Sequence, residues 1–493
     1  SDITTGTTFS TTGNISLNSN ITTTNNNLTI GGNLNLLADT VTLSTGTGVG
    51  NISLNSATGN NKNLKLISGQ GTITSSGTIS AIDILNIQEG ISTTPGSVTF
   101  NGNLSVNTLT TQSSAYDISL YGTNNTIQNA TTFNNTGNLN LGNGSDIINF
   151  VGGLTTTSPS LVNINGIIQA DGTSILSLGD SNTGVKILAN STIGGTSTGN
   201  INISAVTLSD GATLTLGTGI SNDIDVTSIT GTASGTVSNI GINSIGAVSI
   251  GNVGTDIGTI TVTKSGDTTF TGTVNTNNLT ILNGSENKTI AFNGNLTVNT
   301  AMSASAGSSN YNISLLGSSN SIAGTTTLSN TGNLNLGDLS TDTTTFVNGL
   351  VATTQNSINL FGETKATTTA AAISIGNTVL VGTSKLTTTN GNITLNGRLN
   401  GANNITLTTG TGTVNINNTI GDVTRLGTFT IASATTTNIA SDIKTASTSI
   451  TSSTININSG DNSVDTTTTQ TYTGAVVLGQ NTTLNGSEIT FGG

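Results

Sequence analysis

The chain has 493 residues, a formal net charge of −12 and no cysteine, histidine or tryptophan, which excludes disulfide frameworks, zinc sites and a histidine-dependent nucleophile. Its ten Lys and Arg residues are scattered from Lys62 to Lys444, so the basic patch expected of a nucleic-acid-binding protein is missing. Hydrophobic residues are 32% and charged residues 6%, which argues against both a large globular core and charge-driven disorder.

Short strands of alternating aliphatic and polar residues begin near the N-terminus. Residues 13–18 read GNISLN, residues 50–55 repeat this unchanged, and residues 391–396 repeat it with one change. In each unit the Ile and Leu lie two residues apart and therefore face the same side of the strand. Gly and Asn between the strands, as in TGTG at 45–48, tolerate the positive φ that sharp corners require. We predict aliphatic residues inside and Thr, Ser and Asn outside.

A block from the first half of the chain recurs in the second half. The matches are FNGNLSVNT at 100–108 with FNGNLTVNT at 292–300, and NTGNLNLG at 135–142 with the same letters at 330–337. The offset drifts from 192 to 196 residues, which indicates small insertions. A stack of units tolerates insertions because each unit touches only its neighbours. We predict an internal duplication relating approximately residues 100–154 to residues 292–350.

These patterns favour an all-β fold, a parallel β-helix formed by residues 1–493 as one elongated array. At about 20–25 residues a turn and one strand spacing of rise, the array has roughly twenty turns and is about 100 Å long. The alternative is tandem β-sandwiches, which antiparallel pairing distinguishes. The best helix candidate is TTTAAAI at 367–373, but its three Thr residues favour a buried strand there.

Three groups of acidic residues are candidates for Ca²⁺ binding or for a glycosidase carboxylate pair. They are Asp223 with Asp225, Asp338 with Asp342, and the segment DNSVD at 461–465. No cation stands near them in the sequence, and solvated or loop side chains are the favoured interpretation of each group. We predict no catalytic residue, no cofactor-binding residue and no metal-binding residue, and keep Ca²⁺ open.

Aromatic residues at equivalent positions of the two repeated blocks predict internal stacking. These pairs are Phe100 with Phe292, Tyr116 with Tyr311, and Phe150 with Phe346. Tyr121 is replaced by Leu316 in the second block and is expected to be exposed. Leu139 and Leu141, with their counterparts Leu334 and Leu336, are predicted to point inward.

The recurring G-N-[IL]-[ST]-[IL]-N units and the F-N-G-N-L-[ST]-V-N-T pair carry a resemblance. They resemble the passenger regions of rickettsial outer-membrane surface-antigen autotransporters and, more distantly, filamentous-haemagglutinin-type β-helices. The resemblance implies a secreted protein of a cell surface that acts as a surface-layer subunit or adhesin. Those families carry a C-terminal translocator, so this sequence is expected to be a processed passenger or a free surface-layer subunit.

We therefore expect a non-enzymatic structural protein of a bacterial or archaeal cell surface. Residues 3–12 and 483–491 look like ordinary strands with open edges, which predicts self-association into a filament or lattice. Glycans or receptors of a host or cell surface are expected as further partners. Nucleic acid is not expected as a partner. The sequence contains no run of about 18 apolar residues, so a transmembrane helix is not expected either. The alternative function is a polysaccharide lyase or glycoside hydrolase, which needs a cleft with clustered carboxylates and a cation.

Overall fold

The computed structural model describes residues 1–88, 90, 95–458, 463–479 and 481–492. These residues form 49 strands and no helix, and their parallel strands stack as a β-solenoid of about 22 turns. The predicted all-β parallel β-helix is confirmed. The tandem-sandwich alternative is wrong, because the strand pairings for which the described residues give a register are parallel.

The chain divides into two compact units, Ser1–Ser249 and Ile250–Gly493. Strands β1–β24 are, in chain order, Ile3–Thr5, Phe9–Thr11, Ile15–Leu17, Ile21–Thr23, Leu28–Leu36, Thr40–Ser44, Ile52–Ile67, Ile73–Ser75, Ile79–Ile87, Val98–Phe100, Leu104–Thr111, Ile118–Leu120, Asn124–Ile127, Thr131–Thr132, Asn138–Phe150, Leu154–Thr155, Leu161–Ala170, Leu176–Leu178, Gly184–Ile187, Ser191–Gly195, Ile201–Leu208, Thr213–Leu216, Ile224–Gly231 and Ser238–Ser244. Strands β25–β49 are Val248–Gly254, Ile257–Ser265, Thr268–Phe270, Val274–Ile281, Thr289–Phe292, Leu296–Ala304, Asn312–Leu315, Ser319–Ile322, Thr326–Leu328, Leu334–Leu336, Thr343–Phe346, Leu350–Ala352, Ile358–Ala366, Ile373–Ile375, Thr378–Thr388, Ile393–Leu395, Leu399–Asn400, Ile405–Thr408, Thr413–Ile416, Leu426–Ile439, Ile443–Ile457, Ser463–Thr466, Thr469–Leu478, Thr483–Asn485 and Glu488–Phe491. The single-array description of residues 1–493 stays a prediction.

Each turn has three sides. One turn is formed by β18, β19 and β20, and these strands pair in register with β21 and β22 of the following turn. The distance along the chain from one turn to the next varies from 18 residues, between Ile3 and Ile21, to 26 residues, between Leu214 and Ile240. This variation explains the drifting offset of the repeated blocks, because corners absorb insertions while the strands keep their register.

Aliphatic side chains fill the interior in columns that run through successive turns. In the first unit one column contains nine residues, listed here in order of pairing: Leu28, Ile52, Ile73, Val98, Ile118, Leu139, Val162, Val185 and Val206. All nine are at most 1% exposed. In the second unit a comparable column runs through Phe270, Phe292, Leu315, Leu336, Leu360 and Leu380. The predicted inward positions of Leu139, Leu141, Leu334 and Leu336 are confirmed.

The two repeated blocks make the same local contacts, one in each unit. The Asn135 side-chain amide donates a hydrogen bond to the Tyr116 carbonyl at 3.0 Å, and Asn330 donates to the Tyr311 carbonyl at 3.2 Å. Both asparagines are fully buried. Identical letters at these positions therefore preserve a buried hydrogen bond between turns, which would be costly to leave unmade.

The predicted buried strand at 367–373 is wrong. Residues 367–372 form a turn, Ala370 has a positive φ of 67°, and only Ile373 begins the next strand, β38. Thr367–Ala370 are all exposed. Small residues occupy both the strand and the corner that follows it. For this reason β-propensity does not distinguish the two here.

Candidate functional site

The outer surface is organised by asparagines that join one turn to the next. Asn51 accepts a hydrogen bond on its side-chain oxygen from the backbone N–H of Thr72 at 2.8 Å, and Asn392 accepts from the N–H of Thr413 at 2.9 Å. Each asparagine lies directly before a strand. Of the two donors in the next turn, Thr72 lies directly before β8 and Thr413 is the first residue of β43. The asparagine side chain thus continues the strand hydrogen bonding into the corner, where the backbone ladder stops.

The glycine before each of these asparagines has a steric cause. A Cβ atom on Gly50 would lie 2.5 Å from the Asn26 carbonyl oxygen, and one on Gly391 would lie 1.9 Å from the Ala371 carbonyl oxygen. Successive turns approach too closely at this corner for any side chain. The G-N pair that recurs in the sequence is therefore a joint between turns.

Asp223 has the same structural role as these asparagines. Its carboxylate accepts the backbone N–H of Ala247 at 2.9 Å, while Asp225 is exposed on β23 opposite Asn202 of the previous turn. Asp225 lines a shallow groove of about 410 Å³ that also contains Asp180. The Asp180 carboxylate is itself occupied by the N–H groups of Asn182 and Thr183, at 2.8 and 2.9 Å. The predicted solvated interpretation of Asp225 agrees with its exposure.

Asp338 and Asp342 lie in the loop between β34 and β35, as expected. Asp342 is only 3% exposed, and one of its oxygens accepts the N–H groups of Asp338 at 2.9 Å and Leu339 at 2.8 Å. Desolvation and the neighbouring Asp342 carboxylate raise the pKa of Asp338 above its ordinary value. Asp342 therefore closes the loop with its own backbone, an arrangement typical of an acidic residue in a turn.

A second groove, of about 360 Å³, brings together three charged groups that the sequence separates. It is lined by Asp342, Glu363 and Lys385 among uncharged residues. Glu363 and Lys385 are register partners on β37 and β39, and their side chains form an ion pair at 3.0 Å. Thr387 also donates to Glu363 at 2.8 Å. This groove therefore holds two carboxylates and a cation.

The electrostatics of this groove keep Glu363 ionised. Burial by itself raises the pKa of Glu363, but the hydrogen bonds from Lys385 and Thr387 and the charges of Lys385 and Lys365 outweigh it. The pKa is therefore held below its ordinary value. Sequence reasoning missed this cluster because Glu363 and Lys385 lie one turn apart. Their separation, close to the repeat of the strands, was the signal that could have found them.

The acidic segment 461–465 is described only in part, since Asp461 and Asn462 lie outside the described residues. Asp465 accepts hydrogen bonds from the guanidinium of Arg425 at 2.5 Å and from Asn485 at 3.0 Å. Arg425 also donates to the Thr445 and Asp465 carbonyls, so it links three turns. Within the described residues no three acidic side chains form a group suited to a metal ion. Calcium binding stays a prediction.

The aromatic pairs predicted to stack internally are buried. Phe100, Phe292, Tyr116, Tyr311, Phe150 and Phe346 are at most 3% exposed. Phe292 stacks on Phe270 with ring centroids 4.7 Å apart. Tyr121 is half-buried rather than freely exposed. Burial raises the pKa of Tyr311 to about 12, and its hydroxyl donates to the Ser305 carbonyl at 2.5 Å.

The fold and these contacts define the class of protein: a parallel β-solenoid whose outward asparagines, aspartates and cations fasten each turn to the next. Protein-family models, curated proteins and solved structures were compared with the chain, and none of the three comparisons gives a match. The described part of the chain includes no helix with the length and hydropathy needed to cross a membrane.

Proposed function

We propose that the chain is a non-enzymatic structural protein of a bacterial or archaeal cell surface, which assembles with copies of itself as a surface-layer or fibre subunit or an adhesin passenger. The observation that carries the proposal is the use of polar side chains as joints between turns. Asn51, Asn392 and Asp223 each hold the backbone of the next turn. Polar side chains that hydrogen-bond to the backbone of the next turn hold the turns together, which suits a protein that bears load or acts as a spacer.

The first and last described turns support self-assembly. Strands β1, β2 and β3 each pair on one side only within the described residues, and so do β48 and β49. Ile3 occupies an inward column with Ile21 yet is 38% exposed, and Phe491 is 56% exposed. Open parallel edges with uncovered apolar residues accept a further turn. Either a second copy or a flanking repeat of the same kind fits them.

Light scattering at rising protein concentration, with and without Ca²⁺, tests this proposal together with negative-stain electron microscopy. We expect the average mass to grow with concentration and ordered assemblies to appear. Ile3→Lys places a charge at the open inward position and should weaken growth, whereas Thr4→Lys adds the same charge to an exposed neighbour on the same strand. A chain that stays monomeric at high concentration contradicts the proposal.

The polysaccharide-processing alternative is favoured by one observation, the groove with Asp342, Glu363 and Lys385. Its two carboxylates and cation are the groups such an enzyme needs, although Glu363 is already paired with Lys385 at 3.0 Å. Screening the pure protein on bacterial and host polysaccharides decides between the two. Turnover that is lost in Glu363→Gln, or in an Asp223→Asn, Asp225→Asn double variant, would establish the enzyme and remove the structural proposal.

A further inference from the structure

One corner of the second unit carries apolar side chains on five successive turns, although the outward positions elsewhere are mostly polar. They are Leu339, Phe361, Val381, Ala402 and Val423, which we call the apolar corner. Leu339 is 58%, Val381 52% and Val423 74% exposed. Phe361 is half-buried and Ala402 is exposed.

The register of the strands places these residues in one row. Leu336 pairs with Leu360, and Leu360 pairs with Leu380. Phe361 and Val381 directly follow the last two of these residues, and Leu339 lies in the loop that follows the first. The row continues because Thr378 pairs with Leu399, and Leu399 forms a bridge with Ile420. Ala402 and Val423 lie three residues beyond that bridge pair.

Close contacts confirm that the row is continuous. A Cβ atom on Gly362 would lie 2.8 Å from the Leu339 carbonyl oxygen. One on Gly382 would lie 2.3 Å from the ring of Phe361, so this ring covers the backbone beside Val381. Further along, Gly401 donates to the Thr424 carbonyl at 3.4 Å. Contiguous exposed apolar surface of this kind on a soluble protein marks an interaction site.

The charge around the corner indicates what covers it. Residues 338–444 contain five acidic and five basic residues, so this stretch is neutral, whereas the whole chain carries −12. Its ion pairs include Lys385 with Glu363 at 3.0 Å and Arg398 with Asp422 at 3.4 Å. Two copies that meet here bring neutral surfaces together and keep their strongly acidic parts apart. The rest of the chain has 17 acidic and five basic residues, so contacts there more often oppose like charges.

We propose that the apolar corner is a lateral interface that binds the apolar corner of a second copy across a two-fold axis. The inference deepens the proposed self-assembly and rests on it, but uses a surface distinct from the open strand edges. In a two-fold contact the same patch serves both partners. With the rows antiparallel, the central Val381 meets Val381 of the second copy, and Leu339 meets Val423. The row alone is smaller than the roughly 800 Å² per partner of a stable complex, so each contact is weak and gains strength by repetition.

Sedimentation velocity over a range of concentrations tests whether the apolar corner mediates self-association. Val381→Asp with Val423→Asp puts charges into the corner and should weaken lateral association at least tenfold. Val351→Asp is the matched control, because Val351 is 40% exposed on β36, a strand on another side of the same turns. The control should stay within twofold of the wild type. A double variant that associates like the wild type, or a wild type that shows no association, overturns the inference.

The two proposals fail separately. If Ile3→Lys abolishes assembly and the double aspartate variant does not change it, edge stacking stands and the lateral interface is rejected. If only the double variant loses assembly, the lateral interface stands without edge stacking. Flotation with phosphatidylcholine vesicles tests a lipid occupant: vesicle binding by the wild type that the double variant loses, with association unchanged, also overturns the inference.

Cysteine cross-linking tests which residues of the two copies face each other. Introduced cysteines react alone, because the chain has no cysteine of its own. Val381→Cys should form a covalent dimer with itself under a short bismaleimide. Leu339→Cys mixed with Val423→Cys should cross-link more than either variant alone. Val351→Cys should remain uncross-linked at the same concentration. Equal yields for Val381→Cys and Val351→Cys contradict the two-fold contact.

Discussion

Leu139 and Asn140 are neighbours in the sequence with opposite surroundings. Leu139 is fully buried between Ile118 and Val162 of the adjacent turns. The Asn140 side chain lies outside, where it donates to Ser119 at 3.0 Å and accepts from Asn163 at 2.8 Å. The side of the strand on which a residue lies therefore decides whether it contributes apolar burial or a hydrogen bond between turns.

Truncation of an inward residue should cost far more than truncation of an outward one. Leu139→Ala is expected to lower the free energy of unfolding by about 2–5 kcal/mol, since it leaves a cavity in a continuous column. Thr99→Ala, at a half-exposed outward position of β10, should change it by less than about 0.5 kcal/mol. Urea denaturation of both variants measures the difference. Equal small effects would mean that the alternation is misassigned.

Tyr311 makes stability sensitive to alkaline pH. Burial raises its pKa to about 12, whereas the pKa of tyrosine in an unfolded chain is about 10. The folded state therefore retains a proton that the unfolded state loses, and stability falls as pH rises from about 10 towards 12. The melting temperature measured from pH 8 to pH 11.5 should decrease above pH 10. Tyr311→Phe, which has no titrating group, should decrease less over that interval.

At the scale of the strand, the joints between turns repeat one chemical rule. A residue at or directly before the start of a strand accepts the backbone N–H of the corresponding residue in the next turn, and either Asn or Asp can be the acceptor. Asn312 accepts from Asn333 and Asp117 accepts from Asn138, both at 2.7 Å. An oxygen acceptor is what the position requires. Asparagine is the commoner choice because it adds no charge to a stack of close turns.

The acceptor rule predicts the outcome of paired substitutions at Asn392. Asn392→Ala leaves the Thr413 N–H without its partner and should lower the free energy of unfolding by about 1–3 kcal/mol. Asn392→Asp keeps an oxygen at the same place and should recover most of that loss at neutral pH. Denaturant titration of the two variants checks this. Equal losses in both variants would show that the amide group, rather than the acceptor, is what matters.

At the scale of the whole molecule, charged residues are sparse, and ion pairs between them connect neighbouring turns. Lys288 pairs with Asp267 at 2.8 Å and Lys62 with Asp39 at 2.5 Å, in both cases joining neighbouring turns. The Lys288 hydrogen bond holds the pKa of Asp267 below its ordinary value, and the Lys62 hydrogen bond and charge do so for Asp39. Hydrogen bonds from Thr196 and Asn149 hold the pKa of Asp171 below its ordinary value.

These shifts fix the pH dependence of the fold on the acid side. A carboxyl with a lowered folded pKa contributes stability above its unfolded pKa of about 4 and loses it as pH falls through the folded value. Asp338, with a raised pKa, acts in the opposite sense but is outnumbered. With no histidine, the melting temperature should be nearly constant from about pH 5 to pH 9 and fall below pH 4. A maximum near pH 3 would contradict this.

The sequence by itself determined the fold class, the inward leucines and the buried aromatics of this protein. The alternation of period two is a local pattern, and the long-range repeat is a similarity of the sequence to itself. Both are visible without knowledge of the tertiary contacts. It did not place the turn at 367–372, because corner and strand share the same small residues there.

Only the tertiary structure decided which residues of different turns meet. It paired Glu363 with Lys385, gave Asp342 its place beside them, and lined up Leu339, Phe361 and Val423 along one corner. The physical reason is that corners vary in length, so the register between turns is not a fixed count along the chain. Parallel hydrogen bonding sets that register, and side chains several turns apart become neighbours only once it is set.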